Sequence, residues 1–375
     1  MKRIQMLNLQ DQYLKIKSEI DAEIQKVIDS SCFINGPAVS KFQQELGNYV
    51  GTKHVISCGN GTDALQISLM ALGLKPGDEV ITVPFTFIAT AEVIRLLGLV
   101  PVFVDICPDT FNMDVSKLES AITDRTRAII PVHLFGQCAD MESVLRVAQK
   151  HNLFVVEDSC QAIGAEVTFS DGTVHQAGTM GNVGCTSFFP SKNLGCFGDG
   201  GAIFTQDDEL ANKIQYIARH GSREKYHHQY VGVNSRLDTL QAAVLSVKLK
   251  YLDDYIRARR QAADFYNQTL DNVEEVEIPA MAPFSSHVFH QYTLKLKMQN
   301  RDEVARKLAE VGVPTAVYYP IPIHLQTGYS DLNYVKGNFP VTEALSQIVL
   351  SLPMHTELTE EQLVYIVDNL KNAIR

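Results

Sequence analysis

The chain has 375 residues, of which 45% are hydrophobic and 20% charged, so it exceeds one typical compact domain and has enough apolar material for a large core. Its formal net charge of −10 argues against nucleic-acid binding, because that function needs a basic surface. The seven cysteines are odd in number and include no C-x-x-C pair, which argues against a disulfide framework and against a zinc site.

The first residues, Met1–Met6, lead into a polar, helix-like stretch and lack the apolar core of a signal peptide. No apolar run in the sequence approaches the roughly 20 residues that are needed to cross a bilayer. We therefore expect a cytoplasmic protein with no membrane partner.

Short apolar runs alternate with helix-like stretches over the first two thirds of the chain. The predicted strands are Val80–Val83, Pro101–Asp105, Ala128–His133, Leu153–Asp158, Cys185–Phe189 and Ala202–Thr205. The predicted helices are Asp63–Leu72, Ala89–Leu97, Asp114–Ala121 and Asp140–His151. Most of the strands are almost continuously apolar, as strands buried on both faces are. This alternation predicts an α/β fold whose mostly parallel sheet is covered by helices on both faces.

The pattern changes after about Ser235. A long helix is predicted from Leu237 to about Thr269, and we interpret its cluster of Arg257, Arg259 and Arg260 as a solvated face. A strand over Phe289–Met298, a helix over Arg301–Val311 and a closing helix over Leu358–Ile374 follow. These elements predict a smaller α+β domain. We place the two domains at residues 1–240 and 241–375, and interpret the proline-rich segment Tyr318–His324 as a loop.

The segment Ser57–Ala64 places two glycines before a polar triplet that opens an apolar helix. Such a turn exposes free backbone N–H groups at the positive end of a helix, which suits a phosphate. The alternative is an ordinary capped helix, with Asn60 or Thr62 as the cap. Further along, Phe87 follows a predicted strand and could either cover a planar cofactor ring or pack in the core.

Asp158 closes a predicted strand, and ligands of open α/β sheets bind outside the carboxyl ends of strands. A carboxylate beside a protonated pyridine keeps that ring an electron sink, although a capping role for Asp158 is the alternative. Gln161, three residues further on, could reach the same ring.

Lys192 follows another apolar strand and precedes the glycine-rich stretch Gly195–Gly201. Desolvation lowers the pKa of a lysine toward the range in which its neutral amine can attack a carbonyl. Taken alone, a lysine at this position is more typical of a solvated surface charge. Together with Asp158 it forms the minimum protein equipment of a pyridoxal 5'-phosphate (PLP) enzyme. Ser187, five residues earlier, could donate to a phosphate.

Asn234 and Arg236 lie in a predicted loop before the long helix, and could hold phosphate or carboxylate groups. Helix capping by Ser235 or Asp238 is an equally natural reading of this loop. Several histidines lie between residues 220 and 228, but they have no cysteine partner at zinc-finger spacing, and we expect no metal site.

Five segments, taken in order, resemble the DegT/DnrJ family of PLP-dependent sugar-nucleotide aminotransferases. They are Asn60–Ala64, Glu157–Asp158, Ser187–Lys192, Gly198–Gly201 and Asn234–Arg236. The likeness covers nearly the whole chain. It implies an aspartate-aminotransferase type fold (PLP fold type I), with a large domain built on a mostly parallel mixed sheet and a smaller C-terminal α+β domain. It also implies a homodimer with active sites at the subunit interface.

The resemblance implies roles around the cofactor ring. Lys192 would bond to the cofactor and then carry the proton between the substrate carbon and the cofactor. Asp158 would pair with the pyridine nitrogen, Gln161 would contact the ring hydroxyl, and Phe87 would stack on the ring.

The resemblance also implies a set of phosphate contacts. Thr62 and Ser187 would hold the cofactor phosphate, together with the backbone of Asp63 and Ala64. Asn234 would reach the phosphate from the neighbouring subunit, so that a complete site requires the dimer.

Within the family the chain is most similar to transaminases of UDP-2-acetamido-2-deoxy-3-oxo-glucuronate, which serve in making surface polysaccharide (O-antigen) amino sugars. Arg236 would then suit the uronate carboxylate, while Tyr318, Tyr319 and His324 would contact substrate. Many relatives have His-Tyr-Pro where this chain has Tyr318-Tyr319-Pro320.

The resemblance implies glutamate as the amino donor. A dTDP-linked 3-keto or 4-keto deoxysugar is an alternative substrate, and a PLP-binding regulator without turnover is an alternative function. A dehydratase of the same fold would carry histidine at the position of Lys192 and is therefore excluded.

Overall fold

The computed structural model describes residues 3–297 and 300–375, so Met1 and Lys2, and Met298 at the end of a predicted strand, lie outside the described residues. The strands are β1 (His54–Cys58), β2 (Glu79–Thr82), β3 (Val100–Phe103), β4 (Thr126–Ile129), β5 (Phe154–Asp158), β6 (Glu166–Thr168), β7 (Val174–Gln176), β8 (Val183–Ser187), β9 (Gly201–Thr205), β10 (Ser222–Glu224), β11 (His227–His228), β12 (Val276–Glu277), β13 (Tyr292–Leu296) and β14 (Val349–Leu352). The α-helices are α1 (Leu9–Ser30), α2 (Pro37–Val50), α3 (Gly61–Leu72), α4 (Ala89–Leu96), α5 (Met141–His151), α6 (Asp208–Ala218), α7 (Thr239–Leu249), α8 (Leu252–Leu270), α9 (Arg301–Glu310), α10 (Pro340–Ile348) and α11 (Glu360–Ile374).

A seven-stranded sheet in the order β1-β9-β8-β5-β4-β2-β3 organises the first part of the chain. Its neighbours from β8 to β3 are parallel, whereas β9 runs antiparallel to both β1 and β8. The central strands are buried on both faces: α3, α4 and α6 pack on one face, and α2, α5 and α7 pack on the other. The predicted α/β class with a mostly parallel mixed sheet is confirmed.

Every predicted strand of this sheet is present, with its ends moved by a few residues. The edge strand β1 was not predicted, because His54, Ser57 and Cys58 leave its apolar run short. The predicted helix over Asp114–Ala121 is wrong, since this segment forms two short 3₁₀ turns. The carboxylate of Asp114 accepts the N–H of Ser116 at 3.1 Å and closes a tighter turn than an α-helix has.

The single long helix predicted from Leu237 is also wrong, because the chain breaks between α7 and α8 at Lys250 and Tyr251. Almost every residue of α7 is buried, whereas α8 buries only one face. No glycine or proline marks this break. The predicted domain division after residue 240 would fall inside α7, which begins at Thr239. This division stays a prediction.

The arginine cluster of α8 is not a uniformly solvated face. Arg257 is exposed, but Arg259 is 2% exposed and donates from one nitrogen to the carbonyls of Phe289, His290 and Met354, at 3.1, 3.3 and 3.0 Å. Arg259 therefore ties α8 to two segments that are distant in sequence.

The second sheet is antiparallel, in the order β12-β13-β14. It shares one apolar core with α8, α9 and α11, to which Ile4 also contributes. Small hairpins are formed by β6 with β7 and by β10 with β11. In the part of the chain that the structure describes, no helix combines the length and the apolarity that crossing a bilayer requires.

Candidate active site

Asp158 ends β5 at the carboxyl edge of the large sheet, and two donors hold its side chain. The hydroxyl of Thr90 in α4 donates to Oδ2 at 2.8 Å, and the backbone N–H of Cys160 donates to Oδ1 at 3.3 Å. The residue is 6% exposed. Burial and two donors from different elements fix the direction in which this carboxylate points.

Lys192 lies in the loop between β8 and β9, where its amine interacts electrostatically with Cys160 and Asp158. Burial lowers the pKa of Lys192 below its usual value, and the negative charge that Cys160 and Asp158 can carry opposes this shift. A lysine with a lowered pKa has a larger share of neutral amine, the form that attacks a carbonyl. The structure thus brings Lys192 and Asp158 together.

The amino end of α3 is capped by Asn60. Its Oδ1 accepts the N–H of Asp63 at 2.8 Å, and its carbonyl accepts the N–H of Ala64 at 3.1 Å. The amides of Asp63 and Ala64, which the resemblance assigned to a phosphate, therefore already donate within the helix. Among the described residues, the amides of Gly61 and Thr62 have no such acceptor, and they lie at the positive end of the helix.

Gly61 brings this helix end against the ends of β5 and β8. A Cβ atom at Gly61 would lie 2.8 Å from Cβ of Ser187 and 2.9 Å from Sγ of Cys160. The hydroxyl of Ser187 accepts the N–H of Phe189 at 3.2 Å and keeps its own proton free to donate. The result is a cradle of amide and hydroxyl donors beside Lys192, of the kind that binds phosphate.

Gln161 and Tyr319 form a second polar group near Asp158. Gln161 accepts the N–H of Phe135 at 2.7 Å and donates to the hydroxyl of Tyr319 at 3.2 Å. Burial, more than the Gln161 contact or the nearby Asp158, sets the pKa of Tyr319 well above its usual value, so its hydroxyl stays protonated and able to donate. Phe87 is 56% exposed just before α4, with its ring free to cover a ligand.

Asn234 and Arg236 do not reach Lys192 within the same chain. Asn234 is exposed and accepts from the guanidinium of Arg236. Arg236 in turn lines a cavity of about 150 Å³, together with Arg219 and Ser57. Neither residue has a described contact with Lys192.

The loop residue between them, Ser235, is tied to α3 and does not cap α7. Its hydroxyl accepts the N–H of Gly59 at 2.8 Å and donates to Oδ2 of Asp63 at 2.6 Å. Asp238 occupies the cap position of α7 without a side-chain hydrogen bond. The loop is therefore fastened to the same helix end that forms the donor cradle.

His324 and Tyr318 have partners outside the cluster around Lys192. The side chain of His324 is buried, and its Nε2 pairs with Oε1 of Glu343 at 3.0 Å. Tyr318 is half-buried and bonds to Gln291. The structure does not bring the His324 side chain to an open site, although the sequence interpretation counts it among substrate contacts.

Two residues of the site were missed by the sequence interpretation. Thr90 holds Asp158, and Cys160 lies between Asp158, Lys192 and Gly61. The sequence contains a signal for each residue, since both lie close to residues already assigned to the site. Thr90 comes three residues after Phe87, and Cys160 comes two residues after Asp158. Over residues 3–297 and 300–375, no three His, Cys, Asp or Glu side chains are grouped to hold a metal ion.

Comparison with known proteins identifies this arrangement. Residues 14–371 match the DegT/DnrJ/EryC1/StrS aminotransferase family. The chain belongs to this family. The match spans both sheets and every residue of the cluster around Lys192, so the aminotransferase class is established for the whole chain.

Three similar proteins illustrate the family. The UDP-2-acetamido-2-deoxy-3-oxo-D-glucuronate aminotransferase of Pseudomonas aeruginosa is 48% identical, with 98% of this chain and 100% of that protein covered. A pleiotropic regulatory protein of Geobacillus stearothermophilus is 47% identical, with 99% of both chains covered. The solved structure of NtdA from Bacillus subtilis with bound cofactor PMP has a TM-score of 0.91 at 34% identity, covering 100% of this chain and 86% of that one.

The family is PLP-dependent, and PLP is the cofactor of this aminotransferase. The residues around Lys192 fit this cofactor. A lysine whose pKa is lowered by burial lies near a fixed carboxylate, and the tight packing at Gly61 leaves amide and hydroxyl donors nearby. The predicted PLP fold type I and the predicted enzyme class are both confirmed.

Proposed function

We propose that this aminotransferase transfers an amino group from glutamate to the 3-keto group of UDP-2-acetamido-2-deoxy-3-oxo-glucuronate. The observation that carries the chemistry is the approach of Lys192 to Asp158. The observation that favours this substrate is the 48% identity to the Pseudomonas aeruginosa enzyme over 98% of this chain and 100% of that one.

PLP, when bound, carries the amino group between donor and acceptor and acts as the electron sink. Lys192 would bond to it and, as a neutral amine, move the proton at the substrate carbon. Asp158, held by Thr90, would keep the proton on the pyridine nitrogen, and Gln161 would orient the ring hydroxyl. Phe87 would cover one face of the ring.

The phosphate would be held at the end of α3. The open amides of Gly61 and Thr62, with the hydroxyls of Thr62 and Ser187, supply donors at the positive end of the helix. The backbone of Asp63 and Ala64 would shape this turn through the Asn60 cap, since their amides are already bonded.

A homodimer would complete the site. Asn234 is exposed and, in its own chain, turned toward Arg236, so it would reach the phosphate of a second copy. Large apolar side chains that are exposed in the single chain support such an interface: Leu14, Phe33, Ile34, Phe189 and Val231. Covering these side chains on association is favourable, because burying apolar surface drives assembly.

Arg236 is the residue that we assign to the uronate carboxylate, since a guanidinium can bind a carboxylate with two parallel hydrogen bonds. Tyr318 and Tyr319 would contact the sugar or its diphosphate, and His324 would act on the substrate only through the packing of its loop. The reaction would take place in the cytoplasm and supply an amino sugar for surface polysaccharide. A dTDP-linked 3-keto or 4-keto deoxysugar is the alternative acceptor.

A panel of keto sugar nucleotides tests the substrate. The cofactor-loaded protein is treated with glutamate, and the visible absorbance that Lys192 and PLP share should disappear. UDP-linked and dTDP-linked keto sugars, with and without a uronate carboxylate, are then added, and amino-sugar formation is measured. We expect the uronate to react fastest and Arg236→Met to remove that preference. Equal rates across the panel would contradict the role of Arg236.

The 47% identity to a pleiotropic regulatory protein favours one second candidate, a PLP-binding regulator without turnover. The same experiment separates the two. A regulator keeps its absorbance in glutamate and forms no amino sugar. The enzyme loses its absorbance in glutamate and then forms amino sugar, and Lys192→Ala should show neither change.

A further inference from the structure

Lys248, in the last turn of α7, is a buried lysine with an unusual environment. It is 2% exposed, and within the described residues it forms no ion pair with a carboxylate. Its ammonium donates instead to the backbone carbonyl of Gly195 at 2.5 Å and lies 5.6 Å from the ring centre of Phe197. Burying an ammonium without a carboxylate is costly, so this contact must be maintained by the surrounding packing.

The carbonyl that Lys248 holds belongs to the loop that carries Lys192. Gly195 is the third residue after Lys192, and the loop runs on to β9 at Gly201. Gln241, seven residues before Lys248 and therefore on the same face of α7, accepts the N–H of Phe197 at 2.8 Å. One face of α7 thus fixes the loop at two backbone positions.

The loop has little freedom elsewhere. The side-chain amide of Asn193 donates to the carbonyl of Val288 at 3.0 Å, and the N–H of Cys196 donates to the carbonyl of Phe188 at 2.8 Å. In the described part of the chain, Lys248 is the charged side chain that bonds to the backbone of this loop. A charge-assisted hydrogen bond is about twice as strong as a neutral one.

We propose that Lys248 is a positioning residue for the reaction: its ammonium holds the Gly195 carbonyl and thereby fixes the loop that presents Lys192. This inference rests on the proposed role of Lys192 as the lysine that bonds to PLP. Lys248 does not touch the reacting atoms, and it acts through three residues of backbone.

The charge of Lys248 is sensitive to pH in the working range of an enzyme. Its pKa is lowered to about 8, mainly by burial; Cys196 opposes this shift and the nearby Arg259 adds to it. These two groups, with the uncharged ring of Phe197, face the ammonium from α8 and from the loop. Loss of the proton above this pH would leave a neutral amine and a weaker hold on the carbonyl.

Four variants of the cofactor-loaded enzyme test the proposal. Lys248→Met removes the charge and keeps the stem, Lys248→Arg keeps a charge that no assay pH removes, and Gln241→Leu removes the second contact. Lys250→Met is the matched control, because Lys250 follows α7 directly, is exposed and pairs with Glu19 at the surface. The measurements are kcat, the KM for glutamate, the melting temperature and the pH profile of kcat.

We expect Lys248→Met to lower kcat about 10- to 100-fold, as misplaced reactive groups do, with the KM for glutamate within about twofold of the parent. The melting temperature should not fall with it, because the substitution removes a desolvated ammonium. We expect kcat of the parent to decline above about pH 8, and in Lys248→Arg this decline should move to higher pH. A purely structural lysine would move the melting temperature and not the pH profile.

The proposal is overturned if Lys248→Met behaves like Lys250→Met, or if Lys248→Arg leaves the alkaline decline in place. Should Lys248→Met fail to fold, Gln241→Leu decides. A lowered kcat at unchanged KM supports the proposal that α7 positions the loop of Lys192, and an unchanged kcat rejects it. Activity retained by Lys192→Ala would refute the proposed function itself. An inactive Lys192→Ala beside a fully active Lys248→Met refutes only the role of Lys248.

Discussion

Gly61 offers the sharpest test of the donor cradle, since it is the first residue of α3 and the point where that helix meets the sheet. In Gly61→Ala the new Cβ would lie 2.8 Å from Cβ of Ser187 and 2.9 Å from Sγ of Cys160, whereas ordinary contacts begin at 3.4 Å. Each neighbour must therefore move by about 0.5–0.6 Å. The contact with Ser187 cannot be relieved by a change of rotamer, because its Cβ is fixed by the backbone of β8.

Such overpacking costs about 1–3 kcal/mol. If displacing Ser187 and the α3 amides weakens phosphate binding by this free energy, the dissociation constant of PLP rises about 5- to 150-fold. The chemistry at Lys192 is untouched, so kcat at saturating PLP should fall much less than the affinity does.

The assay is a titration of the PLP-free protein with PLP, followed by the visible absorbance that forms with Lys192. Gly328→Ala is the matched control, because a Cβ at Gly328 meets nothing within 4 Å. The double variant of Gly61→Ala with Cys160→Ala should recover part of the lost affinity, since it removes Sγ, one of the two contacts. A coupling between these two changes would exceed the few tenths of a kcal/mol seen for independent sites.

The reasoning fails if Gly61→Ala binds PLP as tightly as Gly328→Ala does. It fails in a different way if affinity is lost but Cys160→Ala recovers none of it, since the steric account requires that contact.

Other predictions concern buried charges. Asp158→Asn should bind PLP yet lose at least about 100-fold in kcat, measured by amino-sugar formation, because an amide cannot stabilise a protonated pyridine. Glu157→Gln should lower the free energy of unfolding in urea by about 2–4 kcal/mol, since the carboxylate accepts three backbone N–H groups and a buried imidazole. Burial lowers the pKa of His287 to about 3 and of His355 to about 4. As the pH falls below about 6.5, the unfolded chain binds protons that these buried imidazoles do not, so the free energy of unfolding should decrease. We expect a loss of about 2 kcal/mol per residue at pH 5 in the same urea assay. His355→Asn should reduce that loss, and an unchanged pH dependence would contradict its assignment.

The large sheet could be predicted from the sequence because its strands are continuous apolar runs, and burial on both faces leaves few other structures for such runs. The strand β1 was not predicted, because His54, Ser57 and Cys58 interrupt its apolar run. The break between α7 and α8 has no local signal at all. It arises because α7 packs against α1 and α2 while α8 turns toward the second sheet.

The site shows the same limit at the level of single atoms. Motifs place Asp158 at the end of one strand and Lys192 after another, and the pairing of β5 with β8 in the fold brings them together. Motifs could not show that the Asn60 cap uses the amides of Asp63 and Ala64, because a hydrogen bond depends on the rotamer of the cap. The burial of Arg259 could not be predicted from the sequence either, because its three acceptors come from segments about 30 and 95 residues away.

The hydroxyl of Ser235 has a consequence for how two copies of this chain would behave. Ser235 is bonded to the end of α3 in its own subunit, while its neighbour in sequence, Asn234, is the residue proposed to reach the other subunit's phosphate. A single peptide bond thus joins one cofactor site to the other. Loading of PLP into the first subunit would be felt in the second, so binding should be cooperative, and Ser235→Ala should make the two sites independent.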